Sequence, residues 1–355
     1  VRSSRSRISW VERISTTPLT QKGPGPLADE LKVITLGTAG GPRTWLHEGK
    51  REPRCGIATA VVVGDKWYLV DCGQSVYRQI RKAGLEFPDL GGIFITHLHS
   101  DHLIDLNNVM VLGFPDICDP NVTIPVFGPG DRGELPPVSQ LATEPVAPAF
   151  PDDPTPGTAA TVQRYLRAGA TDINDRVMDS LRRNPENLWC GRDIQIPDGI
   201  GYHPNDNFSP EMEPFVIFED ERVTVTATLV VHPPIAPAFA FRFDTAGGKS
   251  VTISGDTGFS TNLRRLADRT DLLLHEAIDF DWVYRTVPEP SVIEHHEKSH
   301  SSAKDAATIA ADAQAKQLAL HHIVPGHAPD SAFDAARAVY SGAFTVAGDN
   351  QEFTL

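Results

Sequence analysis

Four groups able to ligate a metal stand within six residues in Thr96-His97-Leu98-His99-Ser100-Asp101-His102, directly after the apolar run Gly91-Gly92-Ile93-Phe94-Ile95. An apolar run that stops at such a cluster reads as a buried strand delivering side chains into a loop, and loops at one edge of a strand scaffold are where active sites gather. Alternate residues of an extended chain face the same way, so His97 and His99 can point together. Asp101 and His102 lie past the turn and can face a second centre. Imidazole and carboxylate groups suit zinc, and also manganese or iron. A polar loop holding histidines by coincidence is the alternative, and the recurrence of further candidates at other strand ends weighs against it.

Those further candidates are His232, Asp256 and His322. "ERVTVTATLVVH" alternates with period two and ends at His232, "KSVTISGDT" runs into Asp256, and "LALHH" ends at His322, with His321 as its rival. Alone, Gly255-Asp256-Thr257-Gly258 reads as a turn, and His322 as a strand histidine. The surrounding pattern is strand-rich. "LKVITLGTAGGP", "NVTIPVFGP", "PAFAFRFDT" and "TDLLLHEAI" read as strands, and Gly64-Asp65 as a hairpin turn. "SVYRQIRKAGL", "SAKDAATIAADAQA" and "APDSAFDAARAVY" read as helices. Residues 131–215 break the rhythm, with "TAATVQRYLRAGA" as one helix and a loop-rich stretch around Trp189, Tyr202 and Phe208. They are expected to form an insertion covering the active site, with those aromatics and Phe114 as pocket-lining candidates. Residues 1–30 are expected as an N-terminal extension, and residues 31–355 as the catalytic domain. Strands in runs interleaved with helices predict an α/β (α+β) fold, a sandwich of mixed sheets with outer helices.

The chain has 355 residues with 40% hydrophobic and 22% charged residues, the composition of a globular protein with ample core. No long uncharged apolar run predicts a membrane span. The formal charge of -14 repels phosphate backbones and sets an expectation against a nucleic-acid substrate. Cys55, Cys72, Cys118 and Cys190 form no C-x-x-C pair, so neither a thiolate metal site nor a redox pair is indicated. The compartment stays open: cytoplasm is the default, and the chain starts at Val1, which is compatible with a trimmed secretory signal. The N-terminal extension could pack on a neighbouring copy in a homo-oligomer.

The ordered set "LGTAGGP", "LVDCGQSVYRQI", "IFITHLHSDHL", "ISGDTG", "LLLHEA" and "KSHSSAKDAATIA" resembles the metallo-β-lactamase superfamily, and most closely its ribonuclease Z-like branch, with arylsulfatase-like relatives. The resemblance spans roughly residues 31–130 and 216–330. It implies an αββα sandwich of two mixed β-sheets with metals at one edge. By the same resemblance, His97, His99 and His232 hold a first divalent ion, and Asp101, His102 and His322 a second, with Asp256 bridging. The ions are zinc in the first instance, with manganese or iron as alternatives. Asp71 of "DCG" would orient the ligands from behind or, failing that, simply end its strand. The resemblance implies a hydroxide shared by the two metals as nucleophile, with Asp101 at the reacting centre and His300 and Glu276 assisting the leaving group.

His296-Glu297-Lys298-Ser299-His300 matches the zinc-protease pattern H-E-x-x-H. Ser302 and Asp305 fit a capping box, which starts a helix after His300, while Pro288 and Pro290 disfavour a long helix before it. The protease reading therefore fails. Ribonuclease Z enzymes carry a long basic arm between the lone His and G-D-T; here residues 233–255 leave no room for one. That departure, with the acidic charge, predicts cleavage of an ester, lactone or related bond in a small organic substrate. The alternative is a ribonuclease Z-type endonuclease acting on tRNA precursors.

Overall fold

The computed structural model describes residues 30–46 and 53–355. The expected N-terminal extension lies outside the described residues, apart from residue 30. The first sheet is built from β1 (Leu31–Gly37), β2 (Ala58–Val63), β3 (Lys66–Val70), β4 (Leu90–Phe94), β5 (Ile124–Pro129) and β6 (Trp189–Ile194). The second holds β7 (Phe215–Glu219), β8 (Val223–Leu229), β9 (Phe239–Thr245), β10 (Ser250–Ile253), β11 (Leu272–Ile278), β12 (Gln317–Val324) and β13 (Ala343–Val346). The chain then returns through β14 (Gln351–Thr354) to pair with β1, so each sheet has seven strands. The helices are α1 (Val76–Lys82), α2 (Ser100–Leu103), α3 (Leu106–Gly113), α4 (Thr158–Ala168), α5 (Ala170–Met178), α6 (Thr261–Leu266), α7 (Phe280–Thr286), α8 (Pro290–Ser299) and α9 (Ala303–Asp312). No described helix is long and apolar enough to cross a membrane.

Period-two patterning explains the sandwich. In β8, Val223, Val225, Ala227 and Leu229 are buried against the facing sheet, while Thr224 and Thr226 are half-exposed. Phe94, Phe127, Phe241, Phe243 and Tyr68 join them between the sheets, with Phe94 and Phe243 meeting edge to face at 5.2 Å. The outer face of the first sheet packs on α1, α3 and α4 through Ile80, Met110 and Val162. The second packs on α6 and α9 through Leu263, Ala306 and Ile309. The capping box forms: Ser302 Oγ accepts from the Asp305 N–H, and Asp305 accepts from the Ser302 N–H. Ser302→Ala leaves that donor of α9 unpaired and is expected to cost about 1 kcal/mol in urea unfolding; an unchanged midpoint would show the cap to be idle.

Segment 131–215 is less of an appendage than its composition suggests. β6 extends the first sheet in parallel register with β5, Ile124 opposite Trp189, and α4 lies against it. β6 escapes sequence reading because Gly191 and Arg192 interrupt its apolar pattern. α8 is the second correction. Pro290 occupies its first turn, where no intrahelical N–H is needed, so proline starts this helix rather than forbidding it.

Strand direction gathers the chemistry at one edge. β8 and β10 both run antiparallel to β9 and therefore run the same way, and β11 and β12 continue parallel to β10. β3 and β4 are parallel in the other sheet. The residues after β3, β4, β8 and β10 thus emerge together, with the sheets tied there by the Phe239 N–H donating to the Thr96 carbonyl at 2.9 Å. Gly255, at φ +59°, permits the approach, because a Cβ there would lie 2.7 Å from the Phe239 carbonyl oxygen.

Candidate metal centre

His97 and His99 leave the end of β4, His232 follows β8, Asp256 follows β10, and Asp101 and His102 open α2. The structure brings them into two clusters. One is His97, His99 and His232; the other is Asp101, His102, Asp256 and His322. In the first, His97 Nε2 and His232 Nε2 lie 3.0 and 3.2 Å from His99 Nδ1. Four-coordinate zinc with bonds of ~2.0–2.1 Å has ligand–ligand edges of about 3.3 Å, so this spacing suits one small cation. In the second, Asp256 Oδ2 lies 3.1 Å from His322 Nε2, Asp256 Oδ1 3.3 Å from His102 Nε2, and Asp101 Oδ2 3.3 Å from His322 Nε2. Asp256 Oδ2 is also 3.9 Å from both His97 Nε2 and His232 Nε2, which puts this carboxylate between the two clusters.

The donor chemistry supports divalent metal binding independently of these distances. His102 Nδ1 faces Asp71 Oδ2 at 2.8 Å and donates to it, which turns the Nε2 lone pair toward Asp256. His102 Nε2 and Asp256 Oδ1 are both buried without a hydrogen-bond partner. Two lone pairs facing each other repel, so this position takes either a proton on His102 Nε2 or a metal ion in its place. The field of the site attracts positive charge, whether a proton or a metal ion. Burial would depress His102, yet Asp256, Asp71 and Asp101 drive it well above the ordinary imidazole range. Burial, reinforced by the neighbouring histidines, pushes His97 and His232 the other way, keeping them neutral donors. His232 Nδ1 donates to the Ser299 carbonyl at 2.8 Å, leaving its Nε2 for the cluster.

The supporting shell is built from β3. Asp71 accepts from the Thr96 N–H at 2.8 Å and from Thr96 Oγ1 at 2.9 Å, besides orienting His102. Asp71→Asn removes the charge that fixes the His102 tautomer and is expected to weaken metal affinity about 10–100-fold by chelator competition. Unchanged affinity would reduce Asp71 to a strand-end residue.

The choice between His321 and His322 is made by a β-bulge. In the β11–β12 pairing, Glu276 faces His321 and Ala277 faces Ile323, so His322 is the extra residue, at φ +47°. The bulge swings His322 into the second cluster beside Gly40, where a Cβ would stand 2.3 Å from the imidazole. His321 is buried outside the clusters, and His275 Nδ1 donates to the Glu276 carbonyl at 2.8 Å.

His300 ends α8 in extended conformation, so it does not share a helical face with His296. Its Nδ1 lies 3.0 and 3.1 Å from the two Glu276 carboxylate oxygens. Burial and the Asp256 charge raise Glu276 well above the carboxylate range, and burial holds His300 down at about 4.

A cavity of about 770 Å³ opens over His99, Asp101, Asp256, His300 and His322. Its walls come from the 41–45 loop, α7 and α8, and include no residue of 131–215. The expected roof is thus on the other side of the chain: the crossover from β11 to β12 carries it. Trp189 and Phe114 are core residues, and Tyr202 and Phe208 do not line the cavity. Sequence reading missed Trp45, Trp282, His295 and His296 as lining residues; Val292, His295 and His296 at i, i+3, i+4 were the available signal. Arg43 is the one Lys or Arg among the described lining residues.

Comparison with known proteins agrees with this fold. Residues 160–323 match the family model described as beta-lactamase superfamily domain, and residues 59–115 that of anti-Pycsar protein Apyc1. The chain is 30% identical to "Ribonuclease Z" of Mycobacterium sp. (strain KMS), over 79% of this chain and 82% of that protein. In fold it is similar to the metallo-beta-lactamase fold protein YhfI from Bacillus subtilis (TM-score 0.57, 18% identity, 92% of this chain and all of that one). It is likewise similar to the short form of human tRNase Z (TM-score 0.56, 20% identity, 91% of this chain and 98% of that one).

Proposed function

The chain belongs to the metallo-β-lactamase superfamily, in its ribonuclease Z-like branch, and is a metal-dependent hydrolase; from that premise we propose that it cleaves phosphodiester bonds, with tRNA precursors as the first substrate class. The observation that carries this is the similarity to proteins named ribonuclease Z along 79% of the chain. The net charge of -14 set an expectation against nucleic acid, and these relatives weigh the other way. Charge summed over a surface governs encounter, whereas chemistry is set by the few groups at the site.

In this reading His97, His99 and His232 would hold one divalent ion and Asp101, His102 and His322 the other, with Asp256 shared and zinc preferred over manganese or iron. Bound there, the ions supply Lewis acidity that activates water and neutralises phosphoryl charge. The chain's own groups do the rest. The Gly41 N–H donates to Asp101 Oδ2 at 2.8 Å and holds that carboxylate at the cavity floor. Glu276 accepts from the Thr257 N–H at 2.7 Å, which aims it at His300. With Nδ1 engaged by Glu276, His300 Nε2 is the nitrogen left for substrate. A proton held by Glu276 passes to His300 Nδ1 as the Nε2 proton passes to the leaving oxygen.

A second reading, a small organic ester or lactone, is favoured by residues 233–255. They hold only β9, β10 and their turns, without the basic arm expected of a tRNA-gripping enzyme. A pre-tRNA carrying a 3′ trailer, assayed beside ester and lactone panels with metal supplied, separates the two. Endonucleolytic cleavage supports the first reading; turnover of the esters alone replaces it with the second.

A further inference from the structure

The cavity wall facing the paired clusters is aromatic and apolar, and nothing in the hydrolytic chemistry uses it. Trp45 and Trp282 meet edge to face, with centroids 5.5 Å apart and planes at 83°. Trp45 is pinned by its indole N–H donating to the Gly40 carbonyl at 2.6 Å, next to the glycine pair that carries Asp101's donor, Gly41. Trp282 is set by the start of α7, where Asp279 accepts from its N–H at 3.0 Å. Val287, Pro288 and Val292 complete the wall. Both indoles are only half-buried although large and apolar, and they stand in the same cavity as Asp256 and His300. Apolar surface left open beside convergent polar groups is the arrangement of a ligand pocket.

We infer that this wall seats a planar aromatic group of the substrate, next to its scissile phosphoester. An aliphatic group of equal size would gain the same area burial, but not the ring–ring attraction that preorganised indoles offer. Two sources share this chemistry: the nucleobase beside a scissile RNA linkage and the aryl group of a small phosphodiester. The inference rests on the phosphodiesterase reading.

The test is calorimetric titration of the metal-loaded full chain with methyl-, cyclohexyl- and phenylphosphonate. Phenylphosphonate is expected to bind about threefold to tenfold more tightly than cyclohexylphosphonate. Trp282→Ala should abolish that preference while methylphosphonate still binds, and Trp282→Phe should keep it. Adenosine 3′-phosphate against ribose 3-phosphate then decides the source: a preference there assigns a nucleobase, and one in the phenyl pair alone assigns an aryl group. No preference in either pair, or one that survives Trp282→Ala, overturns the inference while leaving phosphodiester cleavage standing. Failure of methylphosphonate to bind together with failure of the pre-tRNA to be cleaved sinks the phosphodiesterase reading, and the inference with it.

Discussion

Asp256→Asn is expected to lower kcat/KM by about a thousandfold or more and to reduce bound metal from two ions per chain toward one or none. The carboxylate lies between the clusters, within 3.3 Å of His102 Nε2 and His322 Nε2 and 3.9 Å from His97 and His232. An amide of the same shape keeps the packing but removes the negative charge that a shared position needs. Loss of Lewis-acid stabilisation is worth several kcal/mol, and a thousandfold is ~4 kcal/mol. Elemental analysis with steady-state kinetics checks it, and His99→Ala should behave alike from the other side. Two retained ions with normal turnover in either variant would dismantle the assignment.

His300→Asn and Glu276→Gln form the contrasting pair: activity should fall about 10²–10⁴-fold while metal content stays at the wild-type level. The two side chains act through one proton path, so the double variant should lose little more than either single one. The competing outcome is concrete. His232, Asp256 and His300 also lie close enough to share an ion, as do Glu276, His300 and His322. Loss of an ion from His300→Asn would therefore make it a ligand and remove the proton-transfer role.

Much of the site was legible because its residues sit at the ends of regular strands. His97, His99, His232 and Asp256 each follow a run whose apolar pattern names it a strand, and strands of one sense in a sheet end on the same edge. The capping box after His300 was equally local, resting on two side chains and two amides. Residues whose environment depends on distant partners were not legible. β14 takes its place from pairing with β1, more than three hundred residues earlier in the chain. The roof was assigned to 131–215 by composition, whereas α7 and α8 form it, carried past the strand ends by the β11–β12 connection before α9 returns along the outer face.

The sequence alone determined the candidate ligand types and the strands that carry them, since these depend on residue identity and short-range periodicity, and its ordered motifs carried the resemblance to the superfamily. The resemblance named His322 rather than His321, and only the tertiary structure supplies the physical reason. His321 and His322 are chemically identical neighbours, and a regular strand would send them to opposite faces. One unpaired residue opposite Glu276 and Ala277 turns His322 inward at φ +47°. That bulge is a property of how β11 and β12 pair, and no local pattern within "LALHH" encodes it.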